Sequence, residues 1–211
     1  MKALEKLNPD LIGYIEKSHL MTFFRHPLCV IPYTDGLEDK ISPINGYINM
    51  MVTSRLNLIS KMEADKDYLS LINIVERPFR LEYAIKYLNF ISDTEYWDIV
   101  DFIWTDSEIP SIHIELWKTI FNSRKYANPT LKTAAFKDLP EQVTIYRGGN
   151  KKGLSWTTNR ETAEWFAKRF SLNQTVMTAV VNKSNILHYT NSRNEQEIVA
   201  APSSVNVLSE E

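Results

Sequence analysis

The chain has a single cysteine, Cys29, so no disulfide can form within it. No apolar run approaches the roughly 20 residues that a membrane span requires. No apolar stretch typical of a secretory signal follows Met1. Lys and Arg (24) nearly balance Asp and Glu (26), which excludes the basic excess typical of proteins that hold nucleic acid by bulk charge. We expect a protein without a membrane segment, cytoplasmic or delivered into a target cell by a route not visible in the sequence.

Residues that ligate metals are scarce. His19, His26 and His113 stand alone, and no two histidines share a helix face at metal-ligand spacing. Cys29 has no Cys or His neighbour and lies between two apolar residues, which predicts a small core hydrophobe rather than an activated thiol. The sequence therefore predicts no metal site.

The part of the chain up to residue 139 has a helical pattern. The chain has 211 residues, 44% of them hydrophobic, which suffices for a core without disulfides. Apolar residues recur at helical spacing, and proline or a capping residue precedes several of these stretches. The predicted helices are residues 44–62, a helix opened by Arg77-Pro78, one from an N-cap at Asp93 to Trp104, and one that starts at Pro110.

From Val143 the pattern changes to short β-rich runs separated by turn residues. One helix interrupts them, opened by an apparent capping box, Thr158-x-x-Glu161. We therefore predict an α+β fold, with an α-helical region over 1–139 and a compact strand-rich core over 140–211. The predicted strands are residues 143–147, 175–181, 185–189, 195–201 and 205–208.

Two segments of the strand-rich part carry polar residues suited to ligand binding. A strand ends at Arg147 and turns on Gly148; an arginine offers a fork of donors to phosphate, and a glycine lets backbone approach a ligand. Before the helix, a strand would place Ser155 and Thr157 on one face and turn Trp156 into the core. Taken alone, the first segment is typical of an ordinary turn and the second of a strand with a capping residue.

The third segment contains two glutamates, Glu195 and Glu197. In a strand they share one face, about 6.6 Å apart along the backbone. Two like charges side by side are unfavourable without a nearby cation or a function. Taken alone, a solvated strand face and a functional pair explain this segment equally well.

The order of these segments resembles the Arg/Ser/Glu class of mono-ADP-ribosyltransferases, which includes bacterial exoenzymes, phage enzymes and vertebrate arginine-specific enzymes. The shared order is strand-Arg-Gly, then Ser-x-Thr before a helix, then Glu-x-Glu on a late strand. The resemblance covers about residues 140–211, a third of the chain. It implies a mixed β-sandwich core with one or more helices, with NAD as co-substrate and no metal.

The resemblance assigns a role to each matching residue. Arg147 would grip the phosphates of NAD, and Gly148 would offer its backbone to the nicotinamide amide. Ser155 would support the site through hydrogen bonds, with Thr157 as a second hydroxyl. Glu197 would hold the 2′-hydroxyl of the nicotinamide ribose and stabilise the positive charge that develops as the glycosidic bond breaks. Physical reasoning agrees with these roles. NAD has a negative pyrophosphate and a cationic leaving group, so a site for it requires one fixed cation and one fixed anion.

The resemblance also bears on the acceptor and on partners. Glu195 would orient or deprotonate the acceptor, and Glu-x-Glu implies a protein arginine first and nucleic acid second. Arg193, in the loop before Glu195, and Tyr189, the nearest aromatic residue, would contact the acceptor. Residues 1–139 would select the target, cover the site or bind an inhibitory partner protein. Such a chain suits a toxin of a toxin–antitoxin pair, a phage weapon or an injected effector.

Two other classes of protein stay open from the residues. One is a module that binds NAD or a partner without turnover. The other is a hydrolase that uses Glu195 and Glu197 on a sugar, although glycosidase carboxylates usually come from separate elements that flank the bond.

Overall fold

The structure, a computed structural model, describes residues 4–34, 36–107, 113–149, 152–170, 175–191 and 193–211. The chain divides into two compact units, residues 1–99 and 100–211. The division falls inside a helix, whereas the predicted boundary at 139/140 falls within the second unit. Helices occur together with antiparallel sheets, which confirms the predicted α+β class.

The first unit contains a small sheet that the helical pattern did not predict. It is three-stranded and antiparallel, in the order β1-β2-β3. Pro32 lies on β3, an edge strand of this sheet, where the missing N–H of proline is tolerated. The strands are β1 (Ile15–Lys17), β2 (Thr22–His26) and β3 (Cys29–Tyr33). The helices that follow are α1 (Pro43–Asp65), α2 (Tyr68–Ile74), α3 (Arg80–Ile85) and α4 (Asp93–Asp106), which crosses into the second unit.

One cluster of buried residues in the first unit lies between α1 and this sheet. The predicted helix over 44–62 is confirmed as α1, where Ser42 caps the N-terminus by accepting from the Asn45 amide at 3.2 Å. Cys29 is 2% exposed and packs with Phe24 and Ile48. Burial raises the pKa of its thiol to about 11, so Cys29 is an unreactive core residue, as predicted.

Two of the three helix starts predicted after α1 lie within the described residues. The predicted N-cap at Asp93 is wrong, because Ser92 forms a capping box with Glu95: the Glu95 carboxylate accepts from the Ser92 amide at 3.1 Å, and the Ser92 hydroxyl accepts from the Glu95 amide at 3.4 Å. Arg77-Pro78 does open a helix, a 3-10 turn that leads into α3. The start predicted at Pro110 lies outside the described residues.

The second unit is built on a six-stranded antiparallel sheet with the strand order β7-β8-β5-β4-β6-β9. The predicted strands are confirmed to within a few residues at their ends. Its helices are α5 (Ile114–Ser123), α6 (Ala134–Lys137) and α7 (Arg160–Phe170). Its strands are β4 (Gln142–Gly148), β5 (Ser155–Thr157), β6 (Val176–Asn182), β7 (Ile186–Thr190), β8 (Glu197–Ala200) and β9 (Val205–Glu210).

Among the described residues, two clusters of buried side chains pack against this sheet. Trp156, 2% exposed, joins the main core with Ile145 and Ile198, as predicted for the residue between Ser155 and Thr157. A smaller cluster, formed by Ala163, Ala167, Tyr146 and Val176, packs α7 against β4 and β6.

The capping box predicted for α7 is wrong. The side-chain oxygen of Asn159 accepts from the amides of Glu161 (2.8 Å) and Thr162 (3.3 Å) and caps the helix. The Thr158 hydroxyl is used elsewhere, because it donates to the side chain of Gln196 at 2.7 Å. The residues before α7 therefore connect this helix to the loop that precedes β8.

Candidate active site

The strand order brings the three polar segments together. β8, β5 and β4 are neighbours in the sheet. Thr157 on β5 lies opposite Glu197 on β8 and opposite Tyr146 on β4. Arg147, Ser155 and Glu197 therefore come from three adjacent strands, although 42 residues separate Ser155 from Glu197 in the sequence.

Glu197 is a buried carboxylate held by a hydroxyl. The residue is 3% exposed, and its Oε1 accepts a hydrogen bond from Ser155 Oγ. Its Oε2 lies 3.6 Å from Nη2 of Arg193. Burial of a carboxylate is costly unless the group is hydrogen-bonded and paired. Glu197 has both kinds of support, so the fold maintains a fixed anion at this point.

Glu195 does not share a strand with Glu197, contrary to the prediction, because β8 begins at Glu197. Two residues between Arg193 and β8 have left-handed backbone, Asn194 (φ 58°) and Gln196 (φ 45°). That conformation is uncommon in residues other than glycine and costs of order 1–3 kcal/mol. The loop nevertheless turns both carboxylates towards the same guanidinium, that of Arg193.

Two threonines of the Ser-Trp-Thr-Thr segment hold this loop. Thr157 Oγ1 donates to the Glu195 carbonyl at 2.5 Å. The Thr158 amide donates to the Gln196 carbonyl at 3.2 Å, and the Gln196 amide donates to the Asn191 side chain at 3.0 Å. Thr157 was predicted as a second hydroxyl that binds NAD, and in the structure its hydroxyl positions the backbone of Glu195.

Arg193 links both glutamates to the end of α4. Its Nη2 lies 3.0 Å from Glu195 Oε2, and its Nη1 donates to the Thr105 carbonyl at 2.9 Å. Its side chain is 41% exposed. Burial, together with the charge of Glu197, raises the pKa of Glu195 above its usual value even though Arg193 acts in the opposite direction. A carboxylate with a raised pKa is the better proton acceptor.

Arg147 turns from the end of β4 towards β5, where its Nη1 donates to the Ser155 carbonyl. Burial lowers the pKa of its guanidinium, and the charge of Glu197 partly offsets that shift. Gly153 makes the space for this side chain, since a Cβ there would lie 2.0 Å from Nη2 and 2.2 Å from Cζ. The site thus contains a partly buried cation within the electrostatic range of the buried anion.

Gly148 lies on β4 beneath α7. A Cβ on Gly148 would lie 2.3 Å from the Ala163 carbonyl oxygen and 2.3 Å from the Ala167 nitrogen. The close approach of the helix therefore requires glycine at this position. Gly149 has a left-handed backbone (φ 99°) and donates its amide to the Thr175 carbonyl at 3.0 Å. The glycines that follow Arg147 thus serve both helix packing and the turn.

Tyr189 does not join the group formed by Arg147, Ser155, Arg193, Glu195 and Glu197. It lies on β7 opposite Ile198, and its ring packs against Phe136 and the main core. Side chains alternate along β8, so Tyr189 and Ile198 face the side opposite to Glu197.

A buried polar cluster beside the site was not predicted from the sequence. His188 on β7 is fully buried, with its Nε2 3.0 Å from Asp101 Oδ1 of α4. Its Nδ1 lies 3.2 Å from the Asn128 amide nitrogen and 3.2 Å from the Thr130 hydroxyl. The Asp101 carboxylate is an acceptor only, so Nε2 donates to it. Contacts from Asp101 and Thr105, one helical turn apart, therefore hold α4 against β7 and against the loop before β8.

A search of family models gives no match to the chain, and searches of curated proteins and of solved structures also give none. Within the described ranges, no three His, Cys, Asp or Glu side chains converge as metal ligands. No helix among the described residues is long and apolar enough to cross a membrane.

Proposed function

We propose that the chain is a mono-ADP-ribosyltransferase that cleaves NAD at the nicotinamide glycosidic bond and transfers ADP-ribose to a protein arginine. The observation that carries this proposal is the buried Glu197 carboxylate, held by the Ser155 hydroxyl next to the strand that anchors Arg147. Reaction through a ribosyl cation needs a fixed anion beside the sugar and a fixed cation for the pyrophosphate. These residues supply both.

The residues present fit NAD in charge. Burial lowers the pKa of the Arg147 guanidinium, and a phosphate beside it would offset part of the cost of that burial. Arginine also matches phosphate oxygens with two parallel N–H groups. Arg147 is therefore the residue we assign to the pyrophosphate.

Glu197 and Glu195 have different roles in the proposed reaction. Glu197 accepts a hydrogen bond from the ribose 2′-hydroxyl, and its charge stabilises the positive charge on the sugar. The glycosidic bond breaks with its electron pair retained by nicotinamide. The acceptor nitrogen bonds to the anomeric carbon and gives up a proton, which Glu195 accepts. Ser155 and Thr157 are positioning residues, because they hold Glu197 and the backbone of Glu195.

The geometry favours a guanidinium acceptor over nucleic acid. The Arg193 guanidinium lies between the carboxylates of Glu195 and Glu197, at 3.0 and 3.6 Å, so a group of that shape and charge fits there. Two adjacent carboxylates would repel the phosphates of a nucleic acid. An arginine side chain of a protein therefore suits this end of the site best.

Labelled NAD incubated with a cell lysate tests the proposal, with protease and nuclease treatment afterwards. Label removed by protease is the expected result, and label removed by nuclease would move the acceptor to nucleic acid. Glu197→Gln should lower nicotinamide release at least roughly 100-fold, the scale of a lost transition-state charge contact. Glu141→Gln makes the same chemical change at an exposed position of the second unit and should have no effect. Absence of both label and nicotinamide release would favour a module that binds without turnover.

A further inference from the structure

The Arg193 guanidinium lies at the position where the proposed reaction requires its acceptor. Its Nη2 lies 3.0 Å from Glu195 Oε2, the proposed proton acceptor, and 3.6 Å from Glu197 Oε2, the proposed catalytic group. An external arginine that bound Glu195 would need to place its guanidinium at the same point. A guanidinium of the chain itself therefore lies where the proposed reaction places its acceptor nitrogen.

The protein holds this side chain in place. The Thr105 carbonyl at the end of α4 accepts from Nη1 at 2.9 Å, which leaves Nη2 directed at the glutamates. The loop that carries Arg193 is fixed by Thr157 and Gln196 and contains left-handed backbone at Asn194. Strained backbone persists only where surrounding contacts determine it. The contacts of this loop therefore fix the position of Arg193 beside the carboxylates.

We propose that Arg193 is a modification site, which the enzyme ADP-ribosylates within one molecule. This inference rests on the proposed transferase activity. The bond between nicotinamide N1 and the anomeric carbon breaks, and its electron pair leaves with nicotinamide. The lone pair of Arg193 Nη2 forms the new bond to that carbon. One proton passes from the guanidinium to Glu195 and then to solvent. NAD and the Arg193 side chain thus yield ADP-ribosyl-arginine, nicotinamide and a proton, with no other reactant.

An acceptor within the same molecule gives this reaction a kinetic signature. Well-oriented intramolecular groups react as though present at roughly 10⁵ M or more, so a free guanidine at millimolar concentration would not compete at first. The modified fraction should rise at a rate per molecule that does not depend on protein concentration. The attached ADP-ribose would then lie over Glu195 and Glu197, so transfer to external acceptors should slow as Arg193 becomes modified.

Arg160 is the internal control for this site. Its side chain is 46% exposed, close to the 41% of Arg193, and it also contacts two glutamates, Glu164 at 3.1 Å and Glu211 at 2.7 Å. Exposure and acidic neighbours are thus matched between the two arginines. They differ in that Arg193 contacts Glu195 and Glu197.

The experiment incubates the purified full chain with NAD, follows nicotinamide release, and maps modified arginines by peptide mass spectrometry over time. We expect modification at Arg193 to exceed that at Arg160 at least roughly tenfold, as orientation at the reaction centre implies. The rate per molecule should be unchanged on dilution. A tagged Glu197→Gln copy mixed with the active protein should stay unmodified if the reaction occurs within one molecule.

Three results would overturn the inference while the proposed function stands: modification spread equally over Arg160 and other exposed arginines, labelling of the tagged copy, or labelling of agmatine or lysate proteins without modification of Arg193. Absence of nicotinamide release and of every label would instead remove the proposed function, and this inference with it. The two failures are therefore distinguishable in the same reaction.

Discussion

Gly153→Ala should weaken NAD binding while it leaves the fold intact. A Cβ at this position would lie 2.0 Å from Nη2 of Arg147, whereas real Cβ atoms do not approach closer than 3.0 Å, so the guanidinium must move by about 1 Å. Gly153 does not have left-handed backbone, so alanine itself is not strained there. The displaced group is the end of the flexible Arg147 side chain, so the guanidinium can move aside.

The expected loss of affinity follows from the contact that Arg147 would make. A hydrogen bond to a charged group contributes about 1.5–3 kcal/mol, which corresponds to roughly 10- to 100-fold in the dissociation constant of NAD. Titration calorimetry measures that constant, and thermal unfolding checks stability. Gly13→Ala is the matched control, since a Cβ there meets no atom within 4 Å.

A second variant makes this prediction decisive. Arg147→Ala should weaken NAD binding in the natural sequence and have little further effect in the Gly153→Ala protein, because both changes remove the same interaction. Unchanged affinity in Gly153→Ala, or fully additive losses in the double variant, would show that Arg147 does not bind the pyrophosphate.

Further predictions concern the neighbouring positions. Ser155→Ala should slow nicotinamide release by roughly 10- to 100-fold through loss of the hydrogen bond to Glu197, with exposed Ser203→Ala as the inert control. Gly148→Ala should lower the free energy of unfolding by about 1–3 kcal/mol in urea titrations, since a Cβ would press on the α7 backbone; unchanged stability would show that the helix yields freely. Burial raises the pKa of Glu195 above 4.5 in the folded protein. The favourable contribution of this group to the free energy of unfolding is therefore fully present below pH 4.5, and it is lost as the pH rises through the folded-state pKa. Glu195→Gln should therefore gain stability relative to the natural protein between pH 4.5 and neutral pH, and a constant difference across that range would refute the shift.

The long helix α1 and the strands of the second unit were predictable, whereas the small sheet of the first unit and the helix caps were not. α1 has 23 residues and a clear helical pattern, while β1, β2 and β3 have only three to five residues each and lie among helical signals. At the caps of α4 and α7, two neighbouring residues can both accept from the first amides of the helix. The choice between them depends on tertiary contacts, such as that between Thr158 and Gln196.

The residue types of the site were predictable from order along the chain, but their contacts were not. Alternation places Ser155 and Thr157 on one side of β5, and on that side Ser155 reaches Glu197 of the neighbouring strand β8. Nothing in the sequence indicates that Gln196 takes a left-handed backbone and moves Glu195 out of the strand. Nor could spacing reveal the Thr105 carbonyl, because Arg193 is 88 residues from it. The glycine at position 153 could have indicated part of this arrangement. It lies six residues after a strand-end arginine, and a position without a Cβ leaves room for such a side chain.

The contacts of His188 and Arg193 make the whole second unit, rather than its strand-rich part, the structural basis of the candidate site. His188 is fully buried, and its polar partners Asp101, Asn128 and Thr130 all precede residue 139. A fragment limited to 140–211 would lack these partners of the imidazole and also the Phe121 ring that packs against it. It would also lack the Thr105 carbonyl that holds Arg193 beside Glu195 and Glu197. Residues 100–139 are therefore expected to be required for the geometry of the glutamates.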